Sequence, residues 1–371
     1  MACASASAST LYLTWQKTRS QKLPSILPRF DGPDLTQLQS EYGYNEHSFI
    51  GMTVQPEVWF DRTTAGAVSY IESGKVWVVG GEPLGRDRDL ADITSRFIAD
   101  ARRKKKIVAF LPTTERFARI VSDKNVRIVK VGAAPYFDLQ NWGPRGNSAK
   151  KMRNGVNRGR RAGLSVEEIT TVSDDFRQEV EDLRREWTQS RRAGIKFGWL
   201  FEVIPFQNPE AKKYFAARTA DGHLAGVLAA TPIPARDGWY LEDILRGANS
   251  PEGTADLLVY EALTRLAAAG AKLATLGTVP LSNKGGEGVT AGRSVVVKRS
   301  LAFSRTCLNK IYNFDGLGCF KSKFVPTWWE NEYVVVTKGR ILPPRVANAV
   351  FNVLLPGGLL QMLRILFLNN S

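Results

Sequence analysis

Short apolar runs and longer amphipathic segments alternate along this chain from about residue 42 onward, the pattern of strands and helices in an α/β protein. The turn sequence Glu72-Ser73-Gly74-Lys75 separates two of the apolar runs and predicts a hairpin. The first half is predicted to hold strands at 68–71, 76–79, 107–111, 128–131 and 136–139, and helices at 88–103 and 115–122.

The second half repeats this layout. A second hairpin is predicted around Asp221-Gly222-His223. The predicted elements here are helices at 174–190 and 255–269, and strands at 214–218, 225–231, 239–245 and 271–276. In both halves a hairpin is followed by a helix and a further strand, although the halves share no visible sequence identity. The pattern alone therefore indicates an internal duplication.

The two ends of the chain differ from the body. Residues 1–30 contain four basic residues and no acidic one, and Ser, Ala and Thr crowd the first ten positions. That composition is typical of a disordered extension, and an organellar targeting segment is the alternative. At the other end, two apolar stretches at 346–355 and 359–368 are each too short to span a bilayer. They are predicted either to lie on a membrane as amphipathic helices or to pack on the body.

The charge balance favours an anionic partner. The chain has 51 Lys and Arg against 36 Asp and Glu, a net charge of +15, with a pI near 9.8. A balance this far from zero points to nucleic acid, phospholipid headgroups or a phosphorylated cofactor.

Cysteine and histidine are scarce. Three Cys and two His are too few for a Cys/His zinc framework, so no metal is predicted, and a disulfide-stapled fold is disfavoured. A Ser-His-Asp hydrolase is also improbable, because His223 lies in a predicted turn and His47 near the start. Acid–base chemistry is therefore expected from carboxylates, from tyrosine or from the substrate itself.

The segment 141–163 carries seven basic residues and no acidic one. Its part from Lys150 to Arg161 is predicted to form a helix with a broad cationic face, to which Asn154 and Asn157 add neutral donors. Such a face suits a polyanion, and a solvated basic linker is the alternative.

A pair of acidic residues lies within a predicted strand, in Glu242-Asp243-Ile244-Leu245-Arg246. Strand alternation predicts that Asp243 faces the same way as Leu241 and Leu245, and that Glu242 faces the other. A carboxylate in the middle of a strand is disfavoured unless it is paired or faces a site. The helix that follows begins at Gly253-Thr254, where free N–H groups suit a phosphate or an oxyanion. A strand-end ion pair and an ordinary helix cap are the alternative.

From about residue 42 to residue 338 the sequence resembles the C-terminal soluble domain of the bacterial phosphatidylglycerol lysyltransferases, the aminoacyl-phosphatidylglycerol synthases. The resemblance rests on an ordered series of segments, each weak alone. They are Gly80-Gly81-Glu82-Pro83-Leu84-Gly85, Lys150-Lys151-Met152-Arg153-Asn154, Arg161-Ala162-Gly163, Glu242-Asp243-Ile244-Leu245-Arg246, Gly253-Thr254-Ala255-Asp256, Leu276-Gly277-Thr278-Val279-Pro280-Leu281, Tyr312-Asn313-Phe314 and Phe320-Lys321-Ser322-Lys323-Phe324.

The resemblance implies an α/β (α+β) fold of two tandem GNAT-type acyltransferase units, with two mixed central sheets flanked by helices. The predicted organisation is an N-terminal extension at 1–41, a first unit at 42–140, a basic connecting helix at 141–163, a second, catalytic unit at 164–340 and an amphipathic tail at 341–371.

The implied activity is transfer of an amino acid from aminoacyl-tRNA to a hydroxyl of a membrane lipid, either phosphatidylglycerol or a sterol. No cofactor is expected, since the aminoacyl-tRNA ester is already activated. The predicted partners are aminoacyl-tRNA, the lipid acceptor and an anionic membrane surface. The predicted location is cytoplasmic and peripheral to a membrane, with organellar targeting by residues 1–30 left open.

The predicted catalytic residues are Asp243, Arg246 and Tyr312. Asp243 would bind the α-ammonium group or act as the base, Arg246 would hold a phosphate, and Tyr312 is either a second proton carrier or a core residue. The predicted substrate-binding residues are Glu242, Gly253, Thr254 and Asp256. The predicted tRNA contacts are Lys150, Lys151, Arg153, Arg158, Lys321 and Lys323.

Two other functions stay open from the sequence. An acyl-CoA-dependent N-acyltransferase on the same fold would need a pyrophosphate-binding glycine turn, and the spacing from Arg246 to Thr254 departs from that turn. A non-enzymatic RNA- or membrane-binding protein would need the positive charge, but it would not need Asp243 near Arg246.

Overall fold

The computed structural model describes residues 34–49, 56–189, 203–286, 288–289, 314–338 and 343–354. Tyr312 and the predicted apolar stretch at 359–368 lie outside these ranges, as do residues 1–33. Within the described part of the chain, strands and helices form one mixed α/β body. The predicted α/β class is confirmed.

The strands are β1 (Glu57–Phe60), β2 (Gly66–Ser73), β3 (Val76–Gly80), β4 (Leu84–Gly85), β5 (Ile107–Thr114), β6 (Val126–Asp138), β7 (Ser165–Ile169), β8 (Lys213–Arg218), β9 (Leu224–Ile233), β10 (Gly238–Arg246), β11 (Leu273–Thr275), β12 (Val279–Pro280) and β13 (Trp328–Thr337). The helices are α1 (Leu35–Tyr42), α2 (Leu90–Arg103), α3 (Glu115–Ile120), α4 (Lys150–Arg161), α5 (Asp174–Gln189), α6 (Thr254–Ala268), α7 (Phe314–Ser322) and α8 (Pro343–Leu354).

All of these strands belong to one sheet. Its order is β1-β2-β3-β5-β13-β6-β11-β10-β9-β8-β7, with β4 beside β2 and β12 beside β6. Among the strands that the structure describes, only the β3–β5 and β10–β11 pairs are parallel. In both cases a helix, α2 or α6, makes the crossover after an antiparallel hairpin, so the duplicated layout inferred from sequence is present in the topology.

The two predicted sheets are joined edge to edge. Leu273 of β11 pairs with Asp138 of β6 in antiparallel register, which links the second half to the first. Strand β13 comes from late in the chain but lies between β5 and β6. The predicted domain boundaries remain a prediction, since the sheet runs through both halves without a break.

Strand β6 replaces two shorter predicted strands. The predicted break at 132–135 is extended backbone, because β13 pairs along this stretch on one side and β12 on the other. Gly132 is the close-approach position, since a Cβ there would clash with the carbonyl of Val279.

Helices cover both faces of the sheet. In the first half, Phe97 of α2 and Phe117 of α3 pack on one face, and Val346 and Val353 of α8 pack on the other. In the second half, α4 and α6 share one core cluster, and α5 packs on the opposite face through the side chains Phe176, Val180 and Leu183.

Both ends of the described chain contact the body. Helix α1 begins within the segment predicted as an extension, and it buries Leu38 against Ala67 and Leu84. Helix α8 covers the first part of the predicted tail and packs on the sheet. No helix among the described residues is long and apolar enough to cross a membrane.

Candidate active site

A β-bulge at the centre of β10 shapes the site. Leu241 pairs with Ala230 of β9 and Asp243 pairs with the next residue, Ala229, so Glu242 is the extra residue of the bulge. Bulges re-aim side chains and often lie next to active sites.

The bulge changes the facing predicted from simple alternation. Leu241 packs in the cluster of α4 and α6, whereas Leu245 packs in the cluster of α5, on the other face. The prediction that Asp243 shares one face with both leucines is therefore wrong. The physical reason is the extra residue, which breaks the period of two between positions 241 and 245.

Glu242 is held by two partners. Thr231 of β9 donates its hydroxyl hydrogen bond to Oε2. The ammonium of Lys212 lies 3.4 Å from the same oxygen, and the Lys212 side chain is only 5% exposed. A buried lysine with a single carboxylate partner fixes that carboxylate in place.

Asp243 is 6% exposed, and its Oδ2 atom has no hydrogen-bond partner among the described residues. Burial, together with the neighbouring Glu242 charge, raises the pKa of Asp243 to about 8, although Lys212 and Arg184 act in the opposite direction. A carboxyl group with a pKa near working pH can accept a proton and return it. Asp243 therefore combines an oxygen without a hydrogen-bond partner among the described residues with a pKa of about 8.

Tyr240 links this carboxylate pair to a second polar cluster. Burial raises its pKa well above the usual range, and the Glu242, Glu46, Asp243 and Glu332 charges add to that shift. Gly277, at φ +71°, approaches the Tyr240 ring so closely that a Cβ there would clash with it. The loop at residues 276–281 thus packs against one side of the Tyr240 ring.

The second polar cluster contains Glu46, His47, Glu332 and Lys321, all buried. Burial lowers the pKa of His47, so its imidazole is neutral at pH 7, although Glu46 and Glu242 oppose the shift. Burial also raises the pKa of Glu332 well above its ordinary value, and the adjacent Glu46 carboxylate adds to this.

Lys321 lies in the interior of the protein rather than on the surface, where a tRNA contact was predicted. It is 8% exposed, and its ammonium donates to the carbonyls of Gly277 at 2.8 Å and Thr278 at 2.9 Å. Burial lowers its pKa to about 8. Lys323 is also engaged, because it pairs with Asp256 and lies over the Phe320 ring. Neither side chain is placed to follow a tRNA backbone, since both already have partners within the fold.

The N-terminus of α6 is covered by α4. Thr254 is buried, and a Cβ on Gly253 would clash with the backbone of Gly155 and Gly159. Asp256 lies against Gly155 and pairs with Lys323. These three predicted substrate-binding positions therefore form a helix–helix contact, because the small residues of α4 let the two helices approach.

Arg246 is exposed at the end of β10, and no ion pair joins it to Asp243 or to another described carboxylate. Since Leu245 faces α5, Arg246 lies toward the opposite face, as Ile244 does. It is free to meet an anion from solution.

Helix α4 carries the predicted basic face. Lys150, Lys151 and Arg161 are exposed and make no ion pair with a described residue, and Asn154 and Asn157 lie exposed among them. The other basic residues of this helix have partners. Arg153 donates to the carbonyls of Pro144 and Gly146, Arg158 pairs with Glu252 at 2.9 Å, and Arg160 pairs with Glu261 at 3.0 Å.

Comparison with known proteins shows to which family this chain belongs. The family model described as "Phosphatidylglycerol lysyltransferase, C-terminal" matches residues 36–336. The chain belongs to this family. A phosphatidylglycerol lysyltransferase of Bacillus subtilis (strain 168) is 24% identical over 334 residues, which cover 89% of this chain and 38% of the relative. One of Staphylococcus aureus (strain COL) is 22% identical over 328 residues, 83% of this chain and 36% of the relative. The chain thus spans well under half the length of these lysyltransferases.

Two solved structures share the fold. L-PGS from Bacillus licheniformis superposes with a TM-score of 0.71 at 21% identity, covering 88% of this chain and 99% of that one. The C-terminal domain of a putative lysylphosphatidylglycerol synthetase from Agrobacterium fabrum gives 0.65 at 21% identity, covering 82% and 90%. The predicted family is confirmed.

Several residues of this candidate site were not predicted from the sequence. Lys212, Thr231 and Tyr240 surround the carboxylate pair, and Glu46 and Glu332 form the second cluster. The run Glu330-Asn331-Glu332 in an otherwise apolar strand was the one available signal, because three polar residues at a strand centre need partners.

Proposed function

We propose that this chain transfers an aminoacyl group from aminoacyl-tRNA to a hydroxyl group of a membrane lipid, with Asp243 as the proton acceptor. One observation carries the proposal: the buried Asp243 carboxyl has a free oxygen and a pKa of about 8, in a chain of the lysyltransferase family. The known relatives are named for phosphatidylglycerol, which favours that lipid over a sterol as the acceptor.

The reaction exchanges one ester for another. The lipid hydroxyl oxygen attacks the aminoacyl carbonyl while its proton passes to the Asp243 carboxylate. The tetrahedral intermediate then expels the ribose oxygen of the tRNA, which takes up the proton. One C–O bond forms and one breaks, so the step needs positioning and proton transfer and no input of energy.

The surroundings of Asp243 suit a cationic aminoacyl group. The ammonium of a bound aminoacyl ester would favour the ionised form of Asp243, because opposite charges stabilise each other in a poorly hydrated site. Substrate binding would thereby convert a protonated acid into a base. Glu242 is already paired with Lys212 and Thr231, so Asp243 is the carboxyl of the two that is left to meet this ammonium.

The exposed basic face of α4 supports a polyanionic substrate. Lys150, Lys151 and Arg161 lack partners within the described chain and are spaced along one helix. Contacts of this kind bind phosphates without reading sequence. The same charge would favour an anionic membrane surface.

The packing at α6 disfavours acyl-CoA as the donor. A pyrophosphate would be expected at the N-terminal N–H groups of this helix. Gly253 lies there directly against Gly155 and Gly159 of α4, and this contact occupies the space beside it.

The test is an assay with labelled aminoacyl-tRNAs and vesicles that contain either phosphatidylglycerol or a sterol. We expect label to appear in the lipid, and RNase treatment to abolish it. Asp243→Asn should lower the rate at least about 100-fold, the usual size of a lost acid–base contribution.

The exposed Asp175 at the start of α5 provides the matched control, because Asp175→Asn makes the same chemical change away from the bulge. It should leave the rate unchanged. A fully active Asp243→Asn variant would remove Asp243 from the mechanism, and labelling that survives RNase would contradict the tRNA donor.

A further inference from the structure

Three buried side chains from distant parts of the chain converge beside the carboxylate pair. Glu46 and His47 follow α1, and Glu332 belongs to β13. Each offers one ligand atom, and these atoms all lie within 4.8 Å of one another. All three residues are more than nine-tenths buried.

The Glu46 and Glu332 carboxyl groups lie within hydrogen-bonding reach of each other. Apart from this mutual contact, Glu46 Oε1 and Glu332 Oε2 have no hydrogen-bond partner among the described residues. No lysine or arginine of the described chain lies in ion-pair contact with either carboxylate. Lys321 is the neighbouring cation, but its ammonium is directed at the carbonyls of Gly277 and Thr278.

The free oxygen of Glu46 faces the imidazole. Glu46 Oε1 lies 4.0 Å from His47 Nε2. In a tetrahedral site with metal–ligand bonds of roughly 2.0–2.2 Å, two ligands of one ion lie about 3.4 Å apart. The Glu46–His47 separation of 4.0 Å is wider than that, so the side chains would draw together around the ion.

The supporting contacts hold these ligands in place. Tyr136 donates to the other oxygen of Glu46 at 3.0 Å. Asn45 accepts from the His47 backbone N–H at 3.1 Å and donates to Glu82 at 2.9 Å. Hydrogen bonds of this type orient metal ligands in known sites.

We propose that Glu46, His47 and Glu332 form a binding site for one divalent transition-metal ion, with Zn²⁺ as the preferred metal. An imidazole nitrogen with two carboxylate oxygens suits zinc better than magnesium, and zinc binds such donors more tightly than manganese. Sequence counting missed this set because it considered only Cys/His frameworks. The ion would fasten the segment after α1 to β13, and the proposal does not depend on the aminoacyl transfer.

The test uses tag-free, chelator-treated full-length protein titrated calorimetrically with ZnCl₂ and, separately, with MgCl₂. We expect one Zn²⁺ per chain, a higher melting temperature with Zn²⁺, and much weaker binding of Mg²⁺. His47→Gln and Glu332→Gln should each weaken zinc binding about tenfold or more, as the loss of one of three ligands requires.

The second histidine of the chain gives a matched control. His223 lies exposed in the β8–β9 turn, so His223→Gln should bind zinc as the wild type does. Circular dichroism of each variant checks that it folds. Anomalous diffraction at the zinc edge on wild-type crystals gives an answer without any variant, with the peak expected between Glu46, His47 and Glu332.

Three results would overturn the proposal. They are absence of stoichiometric zinc binding by the wild type, undiminished binding by both ligand variants, and an anomalous peak elsewhere. A fourth result would also overturn the zinc proposal. If butylammonium chloride raises the melting temperature of the wild type but not of Glu332→Gln, and zinc raises neither, the cluster binds an organic ammonium ion.

Discussion

Asp243 illustrates at the residue scale how a proposed catalytic group can conflict with stability. Its carboxyl is buried, and one oxygen has no partner among the described residues. Such a group costs free energy in the folded state. Asparagine cannot ionise, so replacing Asp243 with it removes the free energy that folding spends on protonating this carboxyl and also removes the proposed proton acceptor.

The stability gain should depend on pH. The pKa of Asp243 rises from 3.8 to about 8 on folding. Between these pH values the Asp243 carboxyl is ionised in the unfolded chain and protonated in the folded one. The free energy of unfolding of the wild type therefore falls as pH rises, by at most about 1.4 kcal/mol per pH unit. Asp243→Asn should therefore match wild type near pH 4 and exceed it increasingly up to about pH 8, where the difference levels off.

Urea unfolding at several pH values between about 5 and about 9 measures this difference. Asp175→Asn serves again as the control, since it makes the same chemical change at an exposed position. A difference between Asp243→Asn and wild type that is constant across this range would show that the Asp243 carboxyl is ionised in the folded protein at all these pH values.

At the scale of elements, helix α4 packs on α6 with one face and exposes basic residues on the opposite face. Gly155 and Gly159 allow close packing on α6, and a Cβ at Gly155 would clash with Asp256. The opposite face presents Lys150 and Lys151 to solvent. The basic character of this helix was readable from sequence, but which cations are free depended on Glu252 and Glu261 of the neighbouring segment and helix.

Charge reversal on that face should weaken tRNA binding. Lys150→Glu with Lys151→Glu removes two phosphate contacts, so the slope of log affinity against log salt should fall by roughly 2. Filter binding or anisotropy at several salt concentrations measures this. Arg153 is left unchanged, because its bonds to the Pro144 and Gly146 carbonyls hold the preceding loop.

The double variant Arg62→Glu, Lys75→Glu carries the same change in net charge at exposed positions of the first half. Its salt slope should stay at the wild-type value. Equal losses in both double variants would mean that overall charge, rather than α4, governs tRNA affinity.

At the scale of the whole molecule, segments from late in the chain complete the sheet and the core of the first half. Strand β13 fills the gap between β5 and β6, and α8 covers the first-half sheet. The predicted alternatives for the tail were a membrane contact and packing on the body. Residues 343–354 pack on the body, since Val346, Ala349 and Val353 are buried there.

A charge on the buried face of α8 should destabilise the fold. Val353→Asp loses apolar burial and places a carboxylate against the sheet, which should cost about 3 kcal/mol or more. The adjacent exposed position gives the control, since Asn352→Asp should change stability by no more than about 0.5 kcal/mol. Urea unfolding followed by tryptophan fluorescence compares the two. Equal midpoints, with vesicle binding reduced only in Val353→Asp, would contradict the packing role.

The sequence by itself determined the kinds of elements, their approximate bounds and the duplicated layout, and it selected Asp243 as a candidate residue. These follow from local information, because the period of apolar residues reports which face of an element is buried. The order of the family segments then gave the family, and with it the expected chemistry.

Only the tertiary structure decided how these parts meet. The bulge that turns Asp243 toward α5, the burial of Lys321 and the joining of two sheets through β6 and β11 all depend on pairing between distant segments. The cluster of Glu46, His47 and Glu332 brings together residues from opposite ends of the described chain. Local periodicity carries no information about such contacts, since their free energy comes from long-range packing that exists only in the folded protein.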